Sequence, residues 1–196
     1  MPRTKIRVGP EDHGRTMTLE DFASAEGEPG HLYELERGKV VVIDVPNWGH
    51  GHVVMLVGGA FHVYRFQNPG RIQCIAGGAE CALRLPGMTS ERHPDRAVYL
   101  TPPPNRKNPW NEWVPDIVVE VVSPRQEKRD YVVKREEYLA AGIREYWIVD
   151  SGKRAVLRLV RRGDVWTEET LAEKGTLRTP LLPGFECPVA SLFEGL

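Results

Sequence analysis

The stretch from Val114 to Asp150, VPDIVVEVVSPRQEKRDYVVKREEYLAAGIREYWIVD, constrains the fold more than any other part of the chain. It reads as an apolar strand from Ile117 to Val122, a basic amphipathic helix from about Glu127 to Ala141, and a second apolar strand from Glu145 to Asp150. Gly142 stands just past the helix, where a left-handed residue ends it. A strand this apolar is expected to be covered on both faces, where an unpartnered carboxylate is expensive. Glu120 therefore needs a partner, either a metal ion or a buried lysine or arginine.

The remaining chain supplies the other layers. Met17 to Ala25 predicts a short helix with Thr18 as its N-cap and Glu20 and Asp21 in its first turn. HLYELERGKVVVIDV predicts a hairpin turning at Arg37-Gly38. Val53, Val54, Val57, Phe61 and Tyr64 recur at helical spacing between His50 and Phe66. Within that helix Gly58-Gly59 either weakens it or marks close packing, and Asn68-Pro69-Gly70 ends it. Short strands are expected at 71–76, 79–85 and 96–100. Thr101 to Trp113 carries four prolines and two tryptophans and is expected to be a loop. Further strands are expected at 154–160 and beyond the Arg162-Gly163-Asp164 turn, with an irregular tail, LLPGFECPVASLF, closing over the core. The predicted class is α/β: a mixed central sheet flanked by helices, with an N-terminal hairpin and extra C-terminal strands.

A chain of 196 residues, 41% of them apolar, suits one domain over 16–196 behind a flexible, polar N-terminus of residues 1–15. A formal net charge of -1 excludes a global field that draws the chain to nucleic acid or membrane, so any such contact must be a local patch. Cys74, Cys81 and Cys187 are an odd set without metal-ligand spacing, which suits free thiols in a reducing cytoplasm. The N-terminus lacks an apolar signal-type segment.

On the central strand, two-residue periodicity puts Asp116 and Glu120 on one face. They stand four residues apart, roughly 13 Å, too far for both to bind one hard cation. Glu120 needs its co-ligand from a neighbouring strand. Asp95, just before the strand at 96–100, is the best placed, against the alternative of a simple turn acid. Asp116 is then a strand-start acid or a supporting residue. On the helix, Tyr131, Lys134 and Tyr138 share a face. Lys134 either points inward to the strand end or snorkels to solvent. Arg125, Lys128, Arg129, Lys134 and Arg135 either hold a phosphate backbone or form a solvated helix face. Glu34 could add a third carboxylate or be an ordinary exposed strand acid. His50 fits a helix cap or a site wall, and Ser123 a backbone-satisfying role at the strand end.

The segments LYELERGKV (32–40), HPDRAVYL (93–100), PDIVVEVVSP (115–124), the helix from Lys134 to Tyr138, GIREYWIVD (142–150) and TPLLPGFEC (179–187) follow in this order. Together they resemble the Uma-two family, classed with restriction endonucleases in the PD-(D/E)XK nuclease superfamily, over roughly Met17 to the C-terminus. The resemblance implies a restriction-endonuclease-like core and a divalent-metal site, Mg²⁺ or Mn²⁺, on Asp95 and Glu120. It implies Lys134 as the catalytic lysine, Glu34, Asp116 and Tyr138 as accessory residues, and DNA as substrate, gripped by Arg125, Lys128, Arg129 and Arg135. The superfamily pattern places a lysine two positions after the second acid; here that position is Val122, and Lys134 would replace it from the helix. Duplex cleavage would favour a homodimer or higher oligomer. The competing expectations are a catalytically degenerate nucleic-acid-binding or regulatory module of the same fold, or a protein-interaction domain docking through the proline-tryptophan loop.

Overall fold

The protein, seen as a computed structural model, is described for residues 6–45, 47–105, 107–124 and 126–196. Its centre is a six-stranded sheet in the order Val165–Ala172, Ala155–Arg162, Glu145–Asp150, Ile117–Val121, Arg96–Tyr99, Cys74–Ala76. Glu145–Asp150 runs parallel to Ile117–Val121, and the other neighbours are antiparallel. A parallel pair needs a crossover, and the helix between the two strands supplies it. The mixed sheet with helices matches the predicted class.

All five residues of Ile117–Val121 are buried, as are all six of Glu145–Asp150. One face packs Ile117, Val119, Trp147 and Val149 against Val53, Val57, Phe61 and Tyr64 of the long helix Trp48–Gln67. Within that helix Gly58 and Gly59 have different roles. A Cβ on Gly58 would meet Arg96 Nε at 2.7 Å, whereas Gly59 faces open space. The other face packs Val118, Ile148 and Tyr146 against Tyr138 and Ile143.

A second, four-stranded sheet holds the hairpin His31–Glu36 and Lys39–Asp44 with the two-residue strands Glu91–Arg92 and Leu83–Arg84. The hairpin turn is at Arg37-Gly38, both in the left-handed region (φ 50° and 78°), the geometry of a tight two-residue turn. Thr18 caps the helix Leu19–Ser24 by accepting from the Asp21 amide.

Three expectations change. Residues 6–15 are built into the fold: Arg7–Val8 pairs with Glu26–Gly27, and Val8 is buried with Phe22 and Leu35; residues 1–5 lie outside the described residues. The tail is more regular than its sequence suggests, because Thr176–Arg178 pairs with Glu186–Pro188, and Leu182, Phe185, Leu192 and Phe193 join the core over the long helix. In the proline-rich loop Trp113 is buried and lies 3.9 Å from the Tyr99 ring, with Trp110 stacked beside it. That aromatic group anchors the loop inside the fold. Among the described residues no helix is long and apolar enough to cross a membrane.

Candidate active site

The site forms where the hairpin, the start of the long helix, the central strand and the crossover helix meet. Arg96 pairs with Val119, so Asp95 falls beside Glu120 across the strand boundary. Gly77 lets its own segment run directly against the Asp95 backbone, a space that any Cβ would fill. The Asp95 carboxylate is fixed at both oxygens: the Val121 amide donates to Oδ2 at 2.7 Å, and His50 Nε2 lies 3.0 Å from Oδ1. His50 is held in turn by Ser123 Oγ, 3.1 Å from Nδ1. Ser123 thus positions the imidazole, beyond the backbone role expected of it. The helix cap is Asn47, which accepts from the His50 amide.

Glu120 points to the crossover helix. Lys134 Nζ lies 2.9 Å from its Oε2, and the Tyr138 hydroxyl donates to its Oε1 at 2.6 Å. Lys134 also meets Asp130 Oδ1 at 3.1 Å. The helix begins with a π-helical turn, Arg129–Val133, before the α-helix Lys134–Ala140. Asp130, Lys134, Glu137 and Tyr138 are buried along it. Tyr131 packs at the edge of the same cluster as Tyr138, and its hydroxyl donates to Asp150 Oδ2 at 2.8 Å. Asp130 is the site residue that sequence reasoning missed. Its signal was available, since an acid four residues before Lys134 is a helical neighbour.

The electrostatics follow from this crowding. Burial pushes the Glu120 carboxyl up to about 7; Lys134 opposes the shift and the nearby Asp95 and Asp130 add to it. Burial also raises Asp130 against the pull of Lys134. Lys134 is held above the ordinary lysine value: burial would lower it, but Glu120 and Asp130 outweigh that penalty. Burial would lower His50 too, and its bond to Asp95 turns the shift upward. Carboxylates therefore outnumber the ammonium on this floor.

Above it lies a cavity of about 240 Å³, lined by Asp95, Glu120, Asp130, Lys134 and His50 on one side and by Leu32, Glu34 and Ile43 of the hairpin on the other.

The remaining predicted residues lie apart. Glu34 is buried but bound by arginines: Arg92 Nη1 donates at 2.9 Å and Arg129 Nη2 at 2.5 Å to its Oε2. Burial would raise its carboxyl, yet Lys134, Arg92 and Arg129 hold it well below the usual range. It is neither a free third carboxylate nor an exposed strand acid. Arg92 is fully buried and also binds Glu137, with Nε to Oε2 at 2.8 Å, and Glu36, with Nη2 to Oε2 at 3.0 Å. Asp116 sits at the opposite end of the central strand, accepting from the Leu100 amide at 2.8 Å and from Arg144 at 2.9 Å. The basic cluster is dispersed: Arg129 turns inward to Glu34 and Glu36, Arg135 pairs with Glu168, and Lys128 is exposed. Arg125 lies outside the described residues.

Residues 19–190 match the family model described as "Uma2: Putative restriction endonuclease". The chain belongs to this Uma2 family. No curated protein matches it. Among solved structures, a putative nuclease belonging to DUF820 from Anabaena variabilis is similar at a TM-score of 0.73 and 18% identity, over 90% of this chain and 97% of that one. At that identity the likeness concerns the fold, and it shows that this Uma2 chain shares its architecture with the Anabaena protein.

Proposed function

We propose that this Uma2 protein is a divalent-metal-dependent nuclease that hydrolyses phosphodiester bonds in DNA, with Asp95, Glu120 and Lys134 as its working residues. One observation carries the reading: a central-strand acid, an acid at the start of the neighbouring strand and a buried lysine line one cavity. Family membership supports it.

The residues fit a hard cation. Burial lifts the Glu120 carboxyl and the nearby Asp95 and Asp130 add to it, and a cation beside these acids would favour their charged forms. Among the described residues no group of three or more His, Cys, Asp or Glu is arranged to hold a metal. Two carboxylates with water and phosphate completing the shell suit Mg²⁺, or Mn²⁺ in its place. Asp95 and Glu120 would hold the ion, which when bound acidifies water and screens the phosphodiester charge.

The chain's own residues do the rest. His50 and the Val121 amide orient the Asp95 carboxylate. The Lys134 ammonium orients the attacking water and stabilises charge as it develops on phosphorus oxygens. The water oxygen forms a new bond to phosphorus while the bond from phosphorus to the departing sugar oxygen breaks. One water proton is released to solvent, and the departing oxygen takes up a proton. Lys128, exposed on the segment that leads to Arg129, would contact the DNA backbone. Three free thiols suit a reducing cytoplasm.

The test is plasmid nicking with Mg²⁺ or Mn²⁺, with Glu120→Ala and Lys134→Ala as controls. Wild-type nicking that both variants lose is expected. A folded wild type that cuts neither plasmid nor single-stranded DNA under either metal would sink the proposal. One observation favours the alternative, a non-catalytic module of the same fold: Lys134 and Tyr138 already occupy both Glu120 oxygens. That module would bind DNA without cutting it.

A further inference from the structure

The cavity also has a shape and a charge that bear on which nucleic acid can enter. Its hairpin wall is apolar above Glu34. Leu32 and Ile43 are cross-strand partners, so their side chains share one face of the hairpin, and Glu34, two residues from Leu32, shares that face. Leu32 keeps 38% of its surface exposed although it belongs to a strand. Across the cavity stand the acids and Lys134. One wall is suited to an apolar planar group and the floor to a phosphate.

The cations lining the cavity are already committed. Arg129 is bound by Glu34 and Glu36, and Lys134 by Glu120 and Asp130. A duplex-binding surface neutralises many phosphates at once with lysine and arginine. Here the lining cations are spent inside the protein and the whole chain carries a net charge of -1. A site that does not gain its affinity from a long run of phosphates needs it from a base.

In paired DNA each base is stacked and bonded to its complement, so it cannot lie on the Leu32–Ile43 wall while its phosphate reaches the floor. An unpaired nucleotide can do both. Extruding a paired base requires a few kcal/mol that a single strand does not spend. We propose that the site takes one unpaired strand, with a single nucleobase packed on Leu32 and Ile43 and the adjoining phosphate at Asp95 and Glu120. This rests on the nuclease reading and adds the class of substrate to it.

The test uses end-labelled oligonucleotides of one sequence with Mn²⁺: single-stranded, fully paired, and paired with a central bubble. The single strand and the bubble are expected to be cut at least about tenfold faster than the paired duplex, because neither pays the extrusion penalty. Leu32→Asp should raise KM for the single strand while the fold, read by thermal melting, stays intact. Paired duplex cut as fast as the single strand would overturn this inference and leave the nuclease reading standing. Unchanged KM in Leu32→Asp would overturn the base-packing wall. Failure to cut any of the three would remove the nuclease reading, and this inference with it.

Discussion

Two buried ionic clusters lie side by side beneath the hairpin, and they differ in balance. Arg92 and Arg129 are enclosed by Glu34, Glu36 and Glu137, Arg37 brings a third cation 3.7 Å from Glu137, and Ser90 donates to Glu137 at 2.9 Å. Every member there has a partner of opposite sign. Around Lys134 the acids Glu120 and Asp130 share one ammonium, and Asp95 stands near them. The first cluster drives an acid down, as in Glu34, and the second drives acids up, as in Glu120 and Asp130. Burial is common to both, so burial alone does not mark a working site. Surplus charge of one sign facing a cavity does.

The largest expected effect breaks the balanced cluster. Arg92→Met strands Glu34 and Glu137 without their main partner and should lose about 3–5 kcal/mol in urea unfolding. A loss below about 1 kcal/mol would show that the arginine cluster is no tighter than its neighbour. Glu120→Gln should act the other way: cleavage falls at least about 10²-fold, the scale of removing a positioned catalytic group, while stability holds or rises as crowding is relieved. Equal unfolding losses in the two variants would erase the contrast.

Mg²⁺ or Mn²⁺ should raise the wild-type Tm in differential scanning calorimetry. The gain is about 2.7 kcal/mol at a hundred times Kd, reversed by chelator and absent in Glu120→Gln. Acid should unfold the protein partly through Glu34. Its folded carboxyl lies below the unfolded value of 4.5, so its contribution is complete above that pH. The contribution is lost as pH falls from there through the lowered folded value. Glu34→Gln should flatten this acid limb in a pH series of melts. Ser123→Ala should be the mildest, about 1 kcal/mol for one hydrogen bond, with a rise in the metal concentration needed for cleavage as His50 loosens.

The sequence was most legible where one element carries its own pattern. The hairpin follows from Arg37-Gly38, the long helix from its apolar spacing, and the central strand from Ile117 to Val121. Asp95 was legible as a neighbour of Glu120 because strand spacing limits where a second acid can stand. Arg92 and Glu137 were not, because their strength comes from four segments meeting, and none of these has a local signature. Glu91–Arg92 is a two-residue strand, too short for alternation to show. Nor does the tail advertise its pairing, since Pro180 and Pro183 read as irregular chain and the ribbon forms between residues on either side of them.

The parallel pairing of Glu145–Asp150 with Ile117–Val121 also sets an order of events. The crossover helix meets Glu120, Arg92 and Glu34 on earlier elements, but the Tyr146 and Ile148 part of its bed comes only with the later strand, and non-local parallel pairing is slow. The floor of the cavity is therefore closed last, when Glu145–Asp150 joins the sheet and completes the bed beneath Tyr138.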